Sequence, residues 1–245
     1  MLTVIAFLFP MLAGIWIFLK KPEDETAEKE QYTIAIVITD LLALLAMAFA
    51  RPFTMVEFTE NASLYFRFDG IGRFFLAAVL ILYTAVTFYA FEYLKMEKDP
   101  ERFFLFYFLS LGALIAVCAS GNLVTLYLSF EIATFTSMPL VLHEGTKEAI
   151  SAAAKYLFYS VAGALMGLLG VFFAYVYGTG DRAFVLGGFL DQGLAAGHKG
   201  AILTAVFVAL IGFGTKAGMY PMHGWLPTAH PIAPAPASAL LSGIS

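Results

Sequence analysis

Charge is the scarcest thing in this chain. Only 13% of its 245 residues are Asp, Glu, Lys or Arg, while 60% are hydrophobic; a soluble domain is nearer half apolar and a quarter charged. That shortage excludes a globular enzyme built round one core and points to a polytopic membrane protein. Cysteine is almost absent. The single Cys118 excludes an intrachain disulfide and any clustered-cysteine metal or iron–sulfur site. The four histidines, His143, His198, His223 and His230, share no spacing that suggests haem or zinc. There is no basic stripe, so nucleic-acid binding has no support. No positive stretch precedes the apolar residues 2–19, "LTVIAFLFPMLAGIWIFL", as a signal peptide would need; Lys20 and Lys21 follow them instead. That charge order fits a retained first helix with its N-terminus outside.

What is present is a series of long apolar runs. A helix of about 20 such residues spans a bilayer, which predicts helices near 2–19, 32–50, 71–94, 103–120, 122–142 and 150–177. A seventh, interrupted span covers about 200–228 and an eighth begins near 235. Only "SGN" links the fourth to the fifth, so those two are antiparallel neighbours. Residues 51–70 alternate in polarity near their end and suggest a short hairpin outside the membrane; residues 178–199 form a Gly-rich loop. With the N-terminus outside, the cytoplasmic side carries Lys20, Lys21, Lys29, Lys95, Lys98, Arg102 and Lys147, and the outer side Arg51, Arg67, Arg73, Arg182 and Lys199. That seven-against-five bias agrees in sign with the positive-inside rule. The chain stops at "ALLSGIS", early in a spanning helix. A piece of a longer gene product is expected, the alternative being a seven-helix protein with a reentrant tail.

A charge near the bilayer centre costs at least about 2.5 kcal/mol, so buried ionisable residues mark ion paths by default. Glu131 lies mid-span in "NLVTLYLSFEIATFTSMPLVLH", with no other charged residue in that run. The competing reading is a static ion pair that holds two helices together. Lys216 follows a long uncharged run, in "GFGTKAGMYPMHGW", beside Gly212, Gly214, Gly218 and Pro221. These residues loosen a helix, and non-helical backbone at membrane depth survives only against protein or a water-filled cavity. A broken helix with a titratable amine beside it explains the stretch. The alternative is a helix that ends early, with Lys216 reaching the surface. Lys155 is close enough to its helix start to snorkel. Asp40, within the second span, receives no role. His223 and His230 flank "GWLPTA" as proton relays or as polar residues at the membrane edge. Gly163 and Gly167, in "GALMG", suggest close helix packing.

The residues "GTKAGMYPMHGWLPTAHPIAPAPASALLSGI" resemble the signature of the antiporter-like proton-translocating subunits. Those subunits occur in respiratory complex I, membrane-bound hydrogenases and Mrp-type sodium/proton antiporters. "FEIATFTSMPL" resembles the family's glutamate-bearing helix, "FRFDGIGRFF" the start of its third helix, and "EAISAAAKYLFYS" its sixth. The wording round Lys216 is most similar to the D subunit of Mrp antiporters and to hydrogenase membrane subunits. The resemblance implies an all-α polytopic bundle of about fourteen helices holding two inverted repeats, each with a broken helix. This chain would supply the N-terminal half, about seven to eight helices: residues 1–100 as helices one to three, and 101–245 as an incomplete first repeat. Its proton-translocation residues would be Glu131 on helix five, Lys216 on broken helix seven, Lys155 on helix six, and His223 and His230.

The implied function is proton translocation, with sodium/proton exchange as its variant, through a buried Glu–Lys pair and a water chain. The partners would be other membrane subunits of an antiporter, hydrogenase or complex I-like assembly, in the lipid of a prokaryotic plasma membrane. No cofactor, metal or catalytic site of its own is expected, although the assembly could be an oxidoreductase. A quinone-binding redox subunit is disfavoured because the chain supplies no ligand set for a redox centre. A non-transporting structural fragment is the other alternative.

Overall fold

A computed structural model describes residues 1–22, 24–59, 62–179 and 183–243. Arg182, counted above with the outer charges, and the terminal Ser245 lie outside the described residues. Among the described residues six helices are long and apolar enough to cross a membrane: α1 (Leu2–Lys20), α2 (Glu25–Phe49), α3 (Gly70–Tyr93, extended by a 3-10 turn to Met96), α4 (Pro100–Cys118), α5 (Leu123–Val141) and α6 (Lys147–Val176). A shorter apolar helix, α8 (Lys199–Gly214), follows a four-residue helix, α7 (Gln192–Ala195). The chain then passes through α9 (Leu226–Ala229) to α10 (Ala235–Gly243).

Local chemistry sets the helix ends. Asp24, Asp69, Asn122 and Thr146 each accept a hydrogen bond from a first-turn backbone N–H of α2, α3, α5 and α6, meeting donors that the helix itself leaves open. Two of these caps lengthen helices beyond the apolar runs. α2 starts at Glu25 and α6 at Lys147, so the polar ends of both helices stand clear of the apolar run.

The hairpin is present as β1 (Phe53–Thr59) and β2 (Ala62–Phe66), antiparallel with Phe53 opposite Phe66. It sits on the α4–α5 link: Tyr65 N donates to Thr125 Oγ1 at 2.8 Å, and Asn122 Nδ2 donates to the Ser63 carbonyl at 3.0 Å. The 178–199 stretch adds the bridges Asn122–Ala183 and Gly178–Leu190, and the Arg67 guanidinium donates to the Phe184 carbonyl. Arg67 therefore lies at the hairpin end of the bundle. At the other end Lys29 pairs with Glu25 at 2.7 Å and Lys95 with Glu92 at 2.6 Å.

Packing is closest where side chains are smallest. On α1 and α4, a β-carbon at Gly112 would lie 2.4 Å from the Phe7 carbonyl, and one at Gly14 2.8 Å from Phe108 Cβ. On α6 and α8, a β-carbon at Gly163 would lie 2.6 Å from the Gly212 carbonyl, and one at Gly170 2.4 Å from Ala209 Cβ. The small residues of "GALMG" thus let two backbones meet. Between α2, α3 and α4 the core is aromatic: Tyr32 stacks on Phe104 at 4.2 Å between centroids, and Tyr83 lies 4.8 Å from Tyr107.

Candidate functional site

The seventh span breaks where the glycines and Lys216 predict. α8 ends at Gly214, and its backbone continues in tight turns: Thr215 N donates to the Gly212 carbonyl at 3.2 Å and Gly218 N to that of Thr215 at 3.0 Å. Gly218 takes φ 66°, in the left-handed region that favours glycine. The carbonyl of Thr215 also accepts from the Trp225 indole at 2.8 Å, so a group released by the break finds a buried donor. The far limb is shorter than the span predicted to 228, because α9 is only four residues long. Pro221 and Pro227 lack the N–H donor that a helix needs, and Gly224 offers little helical preference.

Lys216 is buried, at 7% exposure. Its ammonium donates to the Tyr156 hydroxyl on α6, and lies 4.4 Å from the centroid of that ring and 5.9 Å from that of Phe130. Such ring faces attract a cation. Tyr156 Oη is 2.7 Å from Ser137 Oγ on α5, and Ser137 Oγ donates in turn to the Thr134 carbonyl at 3.1 Å. Trp225 packs edge-on against Tyr156 at 5.1 Å and fixes the ring. A cavity of about 150 Å³ adjoins the amine. Its polar lining is Tyr83, Ser110, Ser137 and Lys216, and the rest is apolar, including Phe130, Leu140 and Leu240. Tyr83 Oη and Ser110 Oγ are themselves 2.9 Å apart.

Glu131 sits on the neighbouring stripe of α5, half-buried. Its Oε1 is enclosed and has no hydrogen-bond partner. No ion pair joins it to Lys216 among the described residues. Lys155 turns outward and donates to Thr228 Oγ1 at 2.9 Å, tying α6 to the last turn of the broken segment. His230 stacks on Trp225 at 5.9 Å, and its Nδ1 lies 2.8 Å from Ser238 Oγ and 3.2 Å from Ser242 Oγ. It therefore belongs to the same neighbourhood as Lys216. His223 does not: it is exposed and packs on Tyr220 at 5.6 Å. Asp40 accepts from Thr84 Oγ1 at 2.7 Å between α2 and α3. Tyr156, Ser137 and Trp225, which make the contacts round Lys216, carry no formal charge and so gave no sequence signal of the kind that marked Glu131.

The comparisons with known proteins agree with this architecture. A family model described as NADH:quinone oxidoreductase/Mrp antiporter, TM, matches residues 120–245. Hydrogenase-4 component B of Escherichia coli (strain K12) is 30% identical over 202 residues, covering 82% of this chain and 28% of that protein. NADH-quinone oxidoreductase subunit N of Desulforudis audaxviator (strain MP104C) is 31% identical over 183 residues, covering 72% and 35%. A chain in the structure of the membrane-bound sulfane sulfur reductase, an archaeal respiratory membrane complex, superposes with a TM-score of 0.75 at 17% identity, covering 96% of this chain and 49% of that one. The chain thus spans about a third or less of those two relatives and about half of that solved chain. With six long apolar helices and a family model matching more than half of its residues, this chain is an integral membrane protein that belongs to the NADH:quinone oxidoreductase/Mrp antiporter membrane-subunit family.

Proposed function

We propose that this chain translocates protons, with sodium/proton exchange as the variant, as the antiporter-like subunit of a multisubunit membrane complex. The observation that carries this reading is Lys216: a buried amine beside broken backbone and a cavity, with the open carboxylate oxygen of Glu131 on the adjoining helix. When the two pair, both charges are held. When Glu131 is withdrawn, a buried ammonium without its counter-charge is costly, and its proton moves on through water or a neighbouring group. Lys155 and His230 are the next candidates, Lys155 through its bond to Thr228 and His230 through its contact with Trp225. His223 would serve at the exposed rim.

The partners on this reading are other membrane subunits of an antiporter, hydrogenase or complex I-like assembly. The names of the relatives support that, one being a hydrogenase component and one an NADH-quinone oxidoreductase subunit. Residues 1–100 would frame the bundle and 101–245 would form the first antiporter-like repeat. The location would be a prokaryotic plasma membrane with the N-terminus outside. The clustering of Lys29 and Lys95 at the end opposite Arg67 supports that orientation.

The test is Glu131→Gln in the full-length protein within its complex. Proton pumping or sodium/proton exchange is followed in inverted vesicles, and assembly is checked on a native gel. The reading expects normal assembly and a fall in transport of about a hundredfold, the scale of losing a proton-transfer group. Full transport would reduce Glu131 to packing. Failed assembly would favour a static ion pair in a non-transporting scaffold.

A further inference from the structure

Lys216 has two candidate partners, one on α6 and one on α5, and they differ in chemistry. The carboxylate of Glu131 is acceptor-only and charged when ionised, so it favours the ammonium form of the amine and offers nothing to the lone pair of the neutral form. A hydroxyl has one donor and two acceptor sites, so it suits an amine in either protonation state. In the structure the amine is bonded to the hydroxyl of Tyr156, while Glu131 Oε1 has no partner. We propose that Tyr156 is a positioning residue for proton transfer: it forms a second station for Lys216, away from Glu131, at which the amine is held whether or not it carries its proton. This rests on the translocation reading above and names the alternative state which that reading needs.

The surroundings of Tyr156 are built for both directions of hydrogen bonding. With Lys216 protonated, every donor points the same way: the ammonium donates to Tyr156 Oη, Tyr156 to Ser137 Oγ, and Ser137 to the Thr134 carbonyl. With Lys216 neutral, the nitrogen has a lone pair and accepts. Tyr156 then donates to Nζ, and Ser137 donates to Tyr156 and releases the Thr134 carbonyl. No heavy atom has to leave its place, because the 2.7 Å contact between Ser137 and Tyr156 serves either polarity. Coupled hydroxyls of this kind strengthen one another in low dielectric. Trp225 holds the ring from its edge while its indole ties down the Thr215 carbonyl, one residue before Lys216. The cavity of about 150 Å³ beside the amine gives the side chain room to leave Tyr156.

A ligand-driven or redox-driven change must favour one state over another by differential contacts. Tyr156 supplies the contacts of the withdrawn state and Glu131 those of the charged one. Phe130, whose ring faces the amine, is the residue next to Glu131 on α5, so a small movement of α5 relative to α6 exchanges the two stations.

Tyr156→Phe, made in the full-length protein within its complex, removes the hydroxyl and keeps the ring that packs on Trp225. Transport in inverted vesicles is expected to fall about tenfold, the scale of one hydrogen bond to a charged group. In membranes labelled with 15N-lysine, the amine resonance of Lys216, identified as the one lost in Lys216→Arg, is expected to shift. The pH profile of transport is expected to change shape as well. A purely structural role would lower transport and leave both the resonance and the profile as they were, which overturns the proposal. Unchanged transport in Tyr156→Phe, with Glu131→Gln inactive, overturns it while sparing the translocation reading; unchanged transport in both variants removes that reading and this one together. If Tyr156→Phe does not assemble, Ser137→Ala replaces it, with an expected loss of about threefold for one neutral hydrogen bond and a smaller shift of the same resonance. An unmoved resonance there overturns the proposal.

Discussion

The layer formed by α1–α4 and the layer formed by α5, α6 and α8–α10 solve the same problem in opposite ways. In the first, helices run unbroken and several polar side chains bond to neutral hydroxyls on neighbouring helices: Asp40 to Thr84, Tyr83 to Ser110, Thr87 to Tyr107. In the second, the backbone gives way at Gly214 and an ammonium lies inside, bonded across two helices. The two half-buried carboxylates of the spans, Asp40 and Glu131, sharpen the contrast. Each keeps one enclosed oxygen without a hydrogen-bond partner; the other oxygen of Asp40 is met by the neutral Thr84 hydroxyl, whereas Glu131 shares its half of the bundle with the buried ammonium of Lys216. An acid in a span therefore signals function through what stands opposite it and not through its depth alone.

The sharpest way to break this contrast is to exchange the expected effects of its charged members. Lys216→Ala should abolish transport and leave Glu131 unpaired, whereas Asp40→Asn, which keeps shape, should leave transport within about twofold, as expected of a group outside the relay. Both are read as proton flux in inverted vesicles. An inactive Asp40→Asn variant would carry the transport machinery into the first layer.

The glycine contacts give a second, smaller comparison. Gly112→Ala and Gly163→Ala each force a β-carbon against a backbone carbonyl, 2.4 Å away in one case and 2.6 Å in the other. Overpacking of this kind costs about 1–3 kcal/mol, so both variants should melt at lower temperature. Only Gly163→Ala should also lower transport, because it pushes on Gly212 and Thr215 at the break. Equal transport losses in the two would mean that the layers act as one rigid body.

His143 offers a pH test outside the spans. It lies in the α5–α6 connection, 4% exposed, against Phe103, with Nε2 unpartnered. Burial, aided by the Arg102 charge, holds its imidazole below the ordinary histidine value of 6.5. A depressed histidine is neutral when folded, so the unfolded chain binds the extra proton as pH falls, and stability is lost below about 6.5. Thermal melts in detergent should fall from pH 7.5 to pH 5.5, and His143→Gln should flatten that slope. Lys155→Ala should cut transport by less than about threefold, since it loses one exposed hydrogen bond to Thr228. A loss as deep as that of Lys216→Ala would make Lys155 an indispensable step of the relay instead of an exposed station that water can replace.

Much of this was legible from the chain alone, and the exceptions have physical causes. Apolar length located the spans, and the glycine cluster beside Lys216 located the break. The polar caps that begin α2 at Glu25 and α6 at Lys147 were not visible in hydropathy, because they lie outside the apolar window. Lys155 drew notice by its charge, but one residue further along a helix is a turn of about 100°, so it is Tyr156 that faces inward. His223 and His230 look alike in sequence. The turn at 220–225 leaves the first outside and α9 carries the second in against Trp225, which no periodicity could reveal.

The chain has two tryptophans, and the fold has put them in unlike surroundings: Trp16 is 56% exposed on α1, while Trp225 is fully enclosed at the break. Replacing Trp16 by phenylalanine would leave Trp225 as the one tryptophan of these 245 residues, its indole hydrogen bonded to the Thr215 carbonyl. Its emission colour would then report, without any added label, whether the loosened stretch beside Lys216 is closed and dry or has opened to water during turnover.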